Sequence, residues 1–221
     1  MKCNVVAGVL AACTLAFAAG CNVIGFFGSP TSHEKAVAAE YPLRGTQSRI
    51  AVYVDEARSG SIPVELRRRL DTAVRTFLVR KVRVKEEYLV APIEYTPGRL
   101  AEYSRMSPAE VGRRAGADLV LYVRIESYDL MQMHSEGYFN GEIVTRSVLM
   151  DAASHEVVWP SGNDVKLARI RFELETGGRE AALDRLAGAA AHCVTRYFYD
   201  CPADQFRAGD EQKEYDQMHW Q

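Results

Sequence analysis

The clearest chemistry in this chain belongs to one thiol, that of Cys21. Three small residues, Ala18-Ala19-Gly20, precede it and would fit the narrow groove of a signal peptidase. Lys2 and a mostly apolar run from Val5 to Phe17 come first, which is the order of a secretory signal. A thiol at the cleavage site can carry a lipid as a thioether. The pattern therefore predicts that residues 1–20 are removed and that Cys21 is lipidated.

The apolar run is too short for a bilayer-spanning helix, which needs about 20 apolar residues. Ala18-Ala19-Gly20-Cys21 resembles the lipobox of bacterial lipoproteins, although Ala18 stands where that motif usually carries Leu. The resemblance implies a lipid anchor in the membrane, and Asn22 after the cysteine implies sorting to the outer membrane, facing the periplasm. The alternative is an ordinary secretory signal that ends by chance in a cysteine.

Once the signal is removed, the cysteines other than Cys21 are Cys193 and Cys201. In an oxidising compartment, two cysteines so close in sequence suggest a disulfide. Residues eight apart on one continuous helix lie about 12 Å apart, which is beyond disulfide reach. A bridge therefore requires the last helix to end near Tyr199, and Pro202 favours such an end. The alternative is a pair of unbridged thiols.

The rest of the chain shows no motif for catalysis, for a metal or for a cofactor. It lacks a glycine-rich phosphate loop, a nucleophile elbow and a His-Glu-x-x-His zinc motif. The His-Glu pairs at His33 and His155 lack the second histidine of a helical zinc site. We therefore predict a non-enzymatic protein without metal or cofactor. A hydrolase whose residues converge only in the fold is the minor alternative.

One segment has the charge of a binding surface. Between Glu65 and Lys85 the chain has an excess of six positive charges. The candidate patch consists of Arg67, Arg68, Arg75, Arg80 and Lys81. Such a patch would attract anionic lipid headgroups or an acidic protein. The alternative is a solvated helix face.

A second segment has the apolar composition of an interface. Asn140-Gly141 is a favoured two-residue turn and predicts a β-hairpin. The apolar side chains near this turn are Met131, Met133, Tyr138 and Phe139. Aromatic residues and methionine are enriched in protein interfaces, so these four are candidates for partner binding. Core packing of the same residues is equally compatible with the pattern.

Hydrophobic spacing predicts the elements that position these residues in the first half of the chain. The β-branched run from Ile50 to Val54 predicts a buried strand. Apolar residues at spacings of three and four after Pro63 predict a helix that ends near Arg80. The order Ser107-Pro108-Ala109-Glu110 is that of a capping box, and Gly116 is the expected end of this second helix.

The second half predicts a strand over 118–126, three strands joined by short turns and a last helix over 179–199. The three strands are expected at Glu142–Met150, His155–Trp159 and Val165–Leu174. Together the elements predict an α/β (α+β) sandwich, with a mixed sheet that includes an antiparallel meander and with helices packed on it. The predicted tether covers 21–48, the globular domain 49–202, and a polar, acidic tail 203–221.

The chain resembles a group of bacterial envelope lipoproteins over roughly Arg49 to Tyr199. The resemblance rests on the run from Val111 to Ile125, on Val148–Ala152 and on Glu156–Trp159. The group comprises the periplasmic domain of the curli secretion channel and the outer-membrane lipoprotein activators of penicillin-binding proteins. In this group the hairpin turn usually carries Thr-Gly, whereas this chain has Ser154-His155 at that place. The resemblance implies the same fold and the same compartment.

Net charge helps to exclude one class of partner. The formal net charge is only −2, so nothing in the overall charge suggests nucleic acid. We predict a lipid-anchored, non-catalytic lipoprotein that binds another envelope component, as an assembly or regulatory accessory. The alternative is a structural lipoprotein that self-associates into a ring or sheet under the outer membrane.

Overall fold

A computed structural model describes residues 36–57, 62–133, 137–162, 164–174 and 177–207. The predicted signal peptide and Cys21 lie outside these residues. A five-stranded sheet forms the centre of the fold. Four of its strands follow one another in space, in the order β2 (Ile50–Glu56), β3 (Leu119–Gln132), β4 (Phe139–Asp151) and β5 (Val157–Trp159). The fifth strand, β6 (Lys166–Leu174), also pairs with β4. β2 and β3 run parallel, and the other pairs are antiparallel. The predicted mixed sheet with an antiparallel meander is confirmed.

The burial of β2 and β3 follows their sequences. Ile50 to Val54 are all buried, as the run of β-branched residues predicts. β3 starts with three buried residues and then alternates between buried and more exposed positions. It extends six residues beyond the predicted end at Glu126, where a bulge between Ile125 and Ser127 shifts its pairing with β4.

Two long helices cover one face of the sheet. They are α1 (Val64–Phe77), which continues as a π-helical turn (Leu78–Val82), and α4 (Gly178–Thr195). The two helices pack against each other, and the α1 residues Leu66, Leu70 and Val74 are fully buried. The predicted apolar stripe of α1 is therefore the core-facing side of that helix.

Two shorter helices, α2 (Pro97–Tyr103) and α3 (Pro108–Arg114), follow in the chain. The predicted capping box is present, since Ser107 accepts from the Glu110 backbone and Glu110 accepts from the Ser107 backbone. Gly112 of α3 packs directly on Val120. Val120 points away from the face that carries Leu121, so α3 lies on the side of the sheet opposite α1 and α4.

The two ends of the described chain pair with each other. β1 (Ala36–Val37) is antiparallel to β7 (Cys201–Pro202), and Leu43 is 1% exposed in the main core. The predicted tether boundary at residue 48 is therefore wrong, because residues 36–48 supply backbone pairing and apolar burial to the domain. The domain also continues past residue 202 into α5 (Ala203–Arg207), where Phe206 packs on Tyr197 with ring centroids 5.4 Å apart.

The domain has two ends, which we call the base and the tip. The base is where β2 and β3 begin and where α1 and α4 end. Phe77 of α1 contacts His192 of α4 there, with ring centroids 6.0 Å apart. The Val90 backbone donates to Ile50 at the start of β2. The tip is the far end of β3 and β4, about 45 Å away at the usual rise per residue of a strand.

Candidate functional surfaces

Nothing in the described part of the chain assembles a metal centre. No group of three His, Cys, Asp or Glu side chains there is arranged to hold a metal ion. A solvent-open depression of about 390 Å³ lies between α1 and residues 86–92. Its lining contains no His, Cys or Ser, and Thr76, its one hydroxyl group, donates to the Thr72 carbonyl at 2.8 Å. Among the described helices, none is long and apolar enough to cross a membrane.

The fold divides the predicted basic patch. Arg67 is 3% exposed and forms an ion pair with Glu56, whose side chain is also buried. Glu56 in addition accepts from the Ile62 backbone at 2.9 Å. The expectation that Arg67 lies on an exposed face is wrong, because the end of β2 supplies a buried carboxylate beside α1. Arg67 is a structural residue.

The side chain of Arg75 is also held by hydrogen bonds within the domain. Its Nε donates to Asp71 Oδ2 at 3.0 Å and its Nη1 donates to the Val90 carbonyl at 2.7 Å. Asp71 is 3% exposed, and burial raises its pKa to about 6 although the charge of Arg75 acts in the opposite direction. Arg75 therefore joins α1 to the segment that follows it and is not available as a binding cation. The assignment of Arg75 to an exposed basic patch is therefore also wrong.

Three members of the patch remain on the surface. Arg68, Arg80 and Lys81 are exposed, and Arg83 and Lys85 extend the exposed set beyond α1. Lys85 lies 3.4 Å from Glu87. The surviving cations are therefore concentrated at the base end of α1 rather than along its length.

The predicted hairpin exists, but its turn lies elsewhere. Asn140 and Gly141 are inside β4, opposite Met131 and Leu130 of β3. The two strands instead close beyond Met133, whose backbone donates to the Tyr138 carbonyl at 2.9 Å. The expectation of a two-residue turn at Asn140-Gly141 is wrong.

Gly141 has a packing role in place of a turn. A Cβ added there would lie 3.3 Å from side-chain atoms of Leu130, Phe172 and Leu186. This spacing is tighter than ordinary van der Waals contact, so a side chain at this position would require its three neighbours to shift. Gly141 therefore lies at a close helix–sheet contact rather than in a turn.

The four candidate residues of the hairpin differ in burial. Phe139 is 8% exposed and packs with Ala182 of α4, so its assignment to a partner surface is wrong. Met131, Met133 and Tyr138 are 54%, 43% and 39% exposed at the tip. Phe139 is buried because it shares the sheet face that α4 covers, as Gly141 does. The remaining three side chains form the tip patch.

No disulfide joins Cys193 and Cys201, and both side chains are buried. Cys193 lies in α4 within the main core. Cys201 lies in β7 opposite Val37, and its thiol donates to the Tyr199 hydroxyl at 3.4 Å. The predicted bridge is absent from this structure, in which Cys193 lies in α4 and Cys201 lies in β7.

The sheet face opposite α4 is an additional surface that sequence reasoning missed. Glu126 pairs with Arg124 and Arg146, and Glu142 pairs with Arg171. Beside these ion pairs the exposed apolar side chains are Val157, Val165 and Leu167. The alternation of charged and apolar residues along β6 is the signal that indicates a half-open strand. We call Val157, Val165 and Leu167 the open-face strip.

Comparison with known proteins gives distant structural similarity only. No protein-family model and no curated protein sequence matches this chain. The chain is similar to the PelC dodecamer from Paraburkholderia phytofirmans, with 14% identity, 75% of this chain and 94% of that chain covered, and a TM-score of 0.40. It is similar to lipoprotein GNA1162 from Neisseria meningitidis, with 14% identity, 65% and 94% covered, and a TM-score of 0.36.

A third similar structure is a lipoprotein from Caulobacter crescentus CB15, with 12% identity, 74% of this chain and 91% of that chain covered, and a TM-score of 0.33. The structural neighbours thus include bacterial lipoproteins, and PelC is described as a dodecamer. Similarity of fold does not by itself assign a function.

Proposed function

We propose that this chain is a lipid-anchored, non-catalytic envelope lipoprotein that binds another envelope protein through the tip patch. The observation that carries the proposal is the exposure of Met131, Met133 and Tyr138 together at one end of the domain. Large apolar side chains that are exposed side by side are typical of interaction sites. Unbranched methionine side chains can adapt to the shape of a partner. The tip patch therefore fits an apolar recess on a protein.

The anchor belongs to the same proposal and rests on the signal pattern that ends in Cys21. The described domain begins at Ala36, so at full extension the intervening chain spans at most about 50 Å. Ala36 lies at the base, where β1 pairs with β7. Anchoring at Cys21 therefore tethers the base, and the tip patch is the surface farthest from the tethered end.

Site-specific photocrosslinking in cells tests the partner. A photoreactive amino acid replaces Tyr138 in the full-length protein, and a control variant carries it at Arg185, an exposed position in the middle of α4. We expect one envelope protein to crosslink from position 138 and not from position 185. Adding Met131→Lys and Met133→Lys should abolish that product. A product that persists in this variant, or that forms equally from position 185, contradicts a role for the tip patch.

Cys21→Ala tests the anchor. The variant should lose metabolically incorporated fatty acid and detergent partitioning, while the domain stays folded because the main core runs from Tyr41 to Tyr199. Circular dichroism of the variant checks the fold. Fatty acid that still enters the variant would show that Cys21 is not the lipid attachment site.

Self-association is the second candidate function, and the open-face strip favours it. Val157, Val165 and Leu167 are 42%, 42% and 46% exposed on one side of the sheet. Light scattering after size exclusion would compare the lipid-free chain with Leu167→Lys and Met131→Lys. An oligomer that is lost only in Leu167→Lys supports this alternative. A monomeric wild-type chain excludes it.

A further inference from the structure

Three exposed cations lie together where α1 ends. Arg80 and Lys81 belong to the π-helical turn, and Arg83 follows it with a left-handed φ of 67°. Within the described ranges, none of the three forms an ion pair with a carboxylate, whereas Lys85 pairs with Glu87. We call Arg80, Lys81 and Arg83 the basal cations. Cations near a helix C-terminus interact favourably with the helix dipole. Arg83 lies beyond the last turn, where this interaction is weak.

The basal cations lie beside the place where the chain joins the fold. Phe77, just before them, contacts His192, and the His192 ring nitrogen lies 2.8 Å from the Gln205 carbonyl oxygen of α5. Burial lowers the pKa of His192, and the positive charges of Arg196 and Lys81 act in the same direction. Lys81 is therefore close to the end of α4. α5 in turn contacts β1, which begins at Ala36.

We propose that the basal cations bind anionic phospholipid headgroups and hold the base of the domain against the membrane. This inference rests on the anchor at Cys21, which is part of the proposed function. A covalent anchor at Cys21 attaches one point of the chain to the membrane and does not by itself set the orientation of the domain. A second, electrostatic contact at the same end fixes the orientation and directs the tip patch away from the bilayer, toward a partner. Anionic headgroups within reach of the tether are present at high effective concentration.

The charges near the basal cations allow such a contact. The acidic residues closest in sequence are Glu86 and Glu87, and Glu87 is already paired with Lys85. Burial lowers the pKa of His192 and so disfavours its charged form. In this stretch of the chain, Glu86 is the one acidic residue outside that ion pair, against three exposed cations. Each Lys or Arg near an anionic surface strengthens membrane association roughly fivefold.

Vesicle sedimentation tests the proposal. The lipid-free chain from Asn22 to Gln221 keeps every residue of the main core, which runs from Tyr41 to Tyr199. It is mixed with vesicles of phosphatidylcholine alone, or of phosphatidylcholine with 30% phosphatidylglycerol. We expect binding only to the anionic vesicles, with a decrease as salt is raised. The variant Arg80→Gln/Lys81→Gln/Arg83→Gln should bind less, by roughly fivefold for each charge removed.

The matched control removes the same charge elsewhere. Arg68→Gln/Arg179→Gln/Arg185→Gln replaces three exposed cations of α1 and α4 that lie away from the base, and it should bind as the wild type does. Equal losses in the two triple variants would reduce the effect to net charge and overturn the proposal. Failure of the wild-type chain to prefer anionic vesicles would also overturn it, as would binding to polyglutamate without binding to vesicles. None of these outcomes bears on acylation of Cys21, which the Cys21→Ala variant tests separately.

Discussion

At the scale of single residues, the same side chain has different roles according to its surroundings. Arg67 and Arg68 are neighbours in α1, yet Arg67 is buried with Glu56 and Arg68 is exposed. A buried arginine has to be paired, since an isolated buried charge is costly. The basic residues of α1 therefore divide into structural and exposed groups that composition alone does not separate.

Loss of Arg67 should be strongly destabilising. Arg67→Met leaves Glu56 buried without its cation, which costs about 3–5 kcal/mol. Arg68→Met at the exposed neighbouring position should change the free energy of unfolding by under about 0.5 kcal/mol. Urea unfolding of both variants measures the difference. Adding Glu56→Gln to Arg67→Met should recover part of the loss. Equal stability of the two single variants would contradict a buried ion pair.

Asp71 should make folding stability depend on pH between about 4 and about 6. Burial raises its folded pKa from 3.8 to about 6. The folded state therefore holds the proton more tightly than the unfolded state in this window. The contribution of Asp71 to the free energy of unfolding is highest at low pH and falls as the pH rises, by on the order of 3 kcal/mol at most.

The comparison that isolates Asp71 is between the wild type and Asp71→Asn, because other carboxylates titrate in the same range. Urea unfolding across this window gives both pH profiles. The variant should become more stable relative to the wild type as the pH rises. Parallel profiles would show that Asp71 has an ordinary pKa.

At the scale of elements, close contacts determine where glycines are required. A Cβ on Gly112 would overlap Val120 Cγ2, so α3 packs on β3 too closely for a side chain at this position. A Cβ added to Gly188 in α4 would meet no atom within 4 Å apart from the neighbouring backbone of its own helix. Two helical glycines of equal propensity therefore differ in their tertiary roles.

Alanine substitution should separate these two glycines. Gly112→Ala forces overpacking against a buried valine, which costs about 1–3 kcal/mol and exceeds the gain in helix propensity. Gly188→Ala should stabilise the protein by about 0.5–1 kcal/mol, because only the propensity changes. Thermal unfolding followed by circular dichroism tests both. Val120→Ala combined with Gly112→Ala should restore part of the loss, and a stable Gly112→Ala variant would indicate looser packing of α3.

At the scale of the whole domain, the N-terminal segment closes the fold. The Glu40 and Leu43 backbones donate to the carbonyls of Tyr197 and Phe198, and the Trp159 indole donates to Glu40 at 3.0 Å. These contacts join residues more than 110 positions apart in sequence. The base of the domain therefore depends on residues that composition assigns to a tether.

Leu43→Ala should reveal this dependence. Leu43 is 1% exposed, and removal of a buried leucine side chain costs about 2–5 kcal/mol. Arg44→Ala next to it changes an exposed residue and is the control. Urea unfolding should show a large loss for Leu43→Ala and almost none for Arg44→Ala. Similar curves for the two would mean that the segment contributes little to the fold.

The sequence by itself determined the elements whose causes are local. The strand at Ile50, the capping box at Ser107 and the stop at Gly116 follow from neighbouring residues, and the structure contains all three. The mixed sheet with an antiparallel meander follows from their order. Periodicity and capping act over a few residues, and such signals can be read directly from a sequence.

Only the tertiary structure decided which candidate residues reach the surface. Arg67 is buried because Glu56 lies beside it, and Phe139 is buried because α4 covers its face of the sheet. Cys193 lies in α4 and Cys201 lies in the second sheet, and the two thiols are not bridged. These outcomes depend on partners that are distant in sequence, and a pattern of residue types does not specify such partners. The basal cations and the tip patch are therefore surfaces that the fold selects.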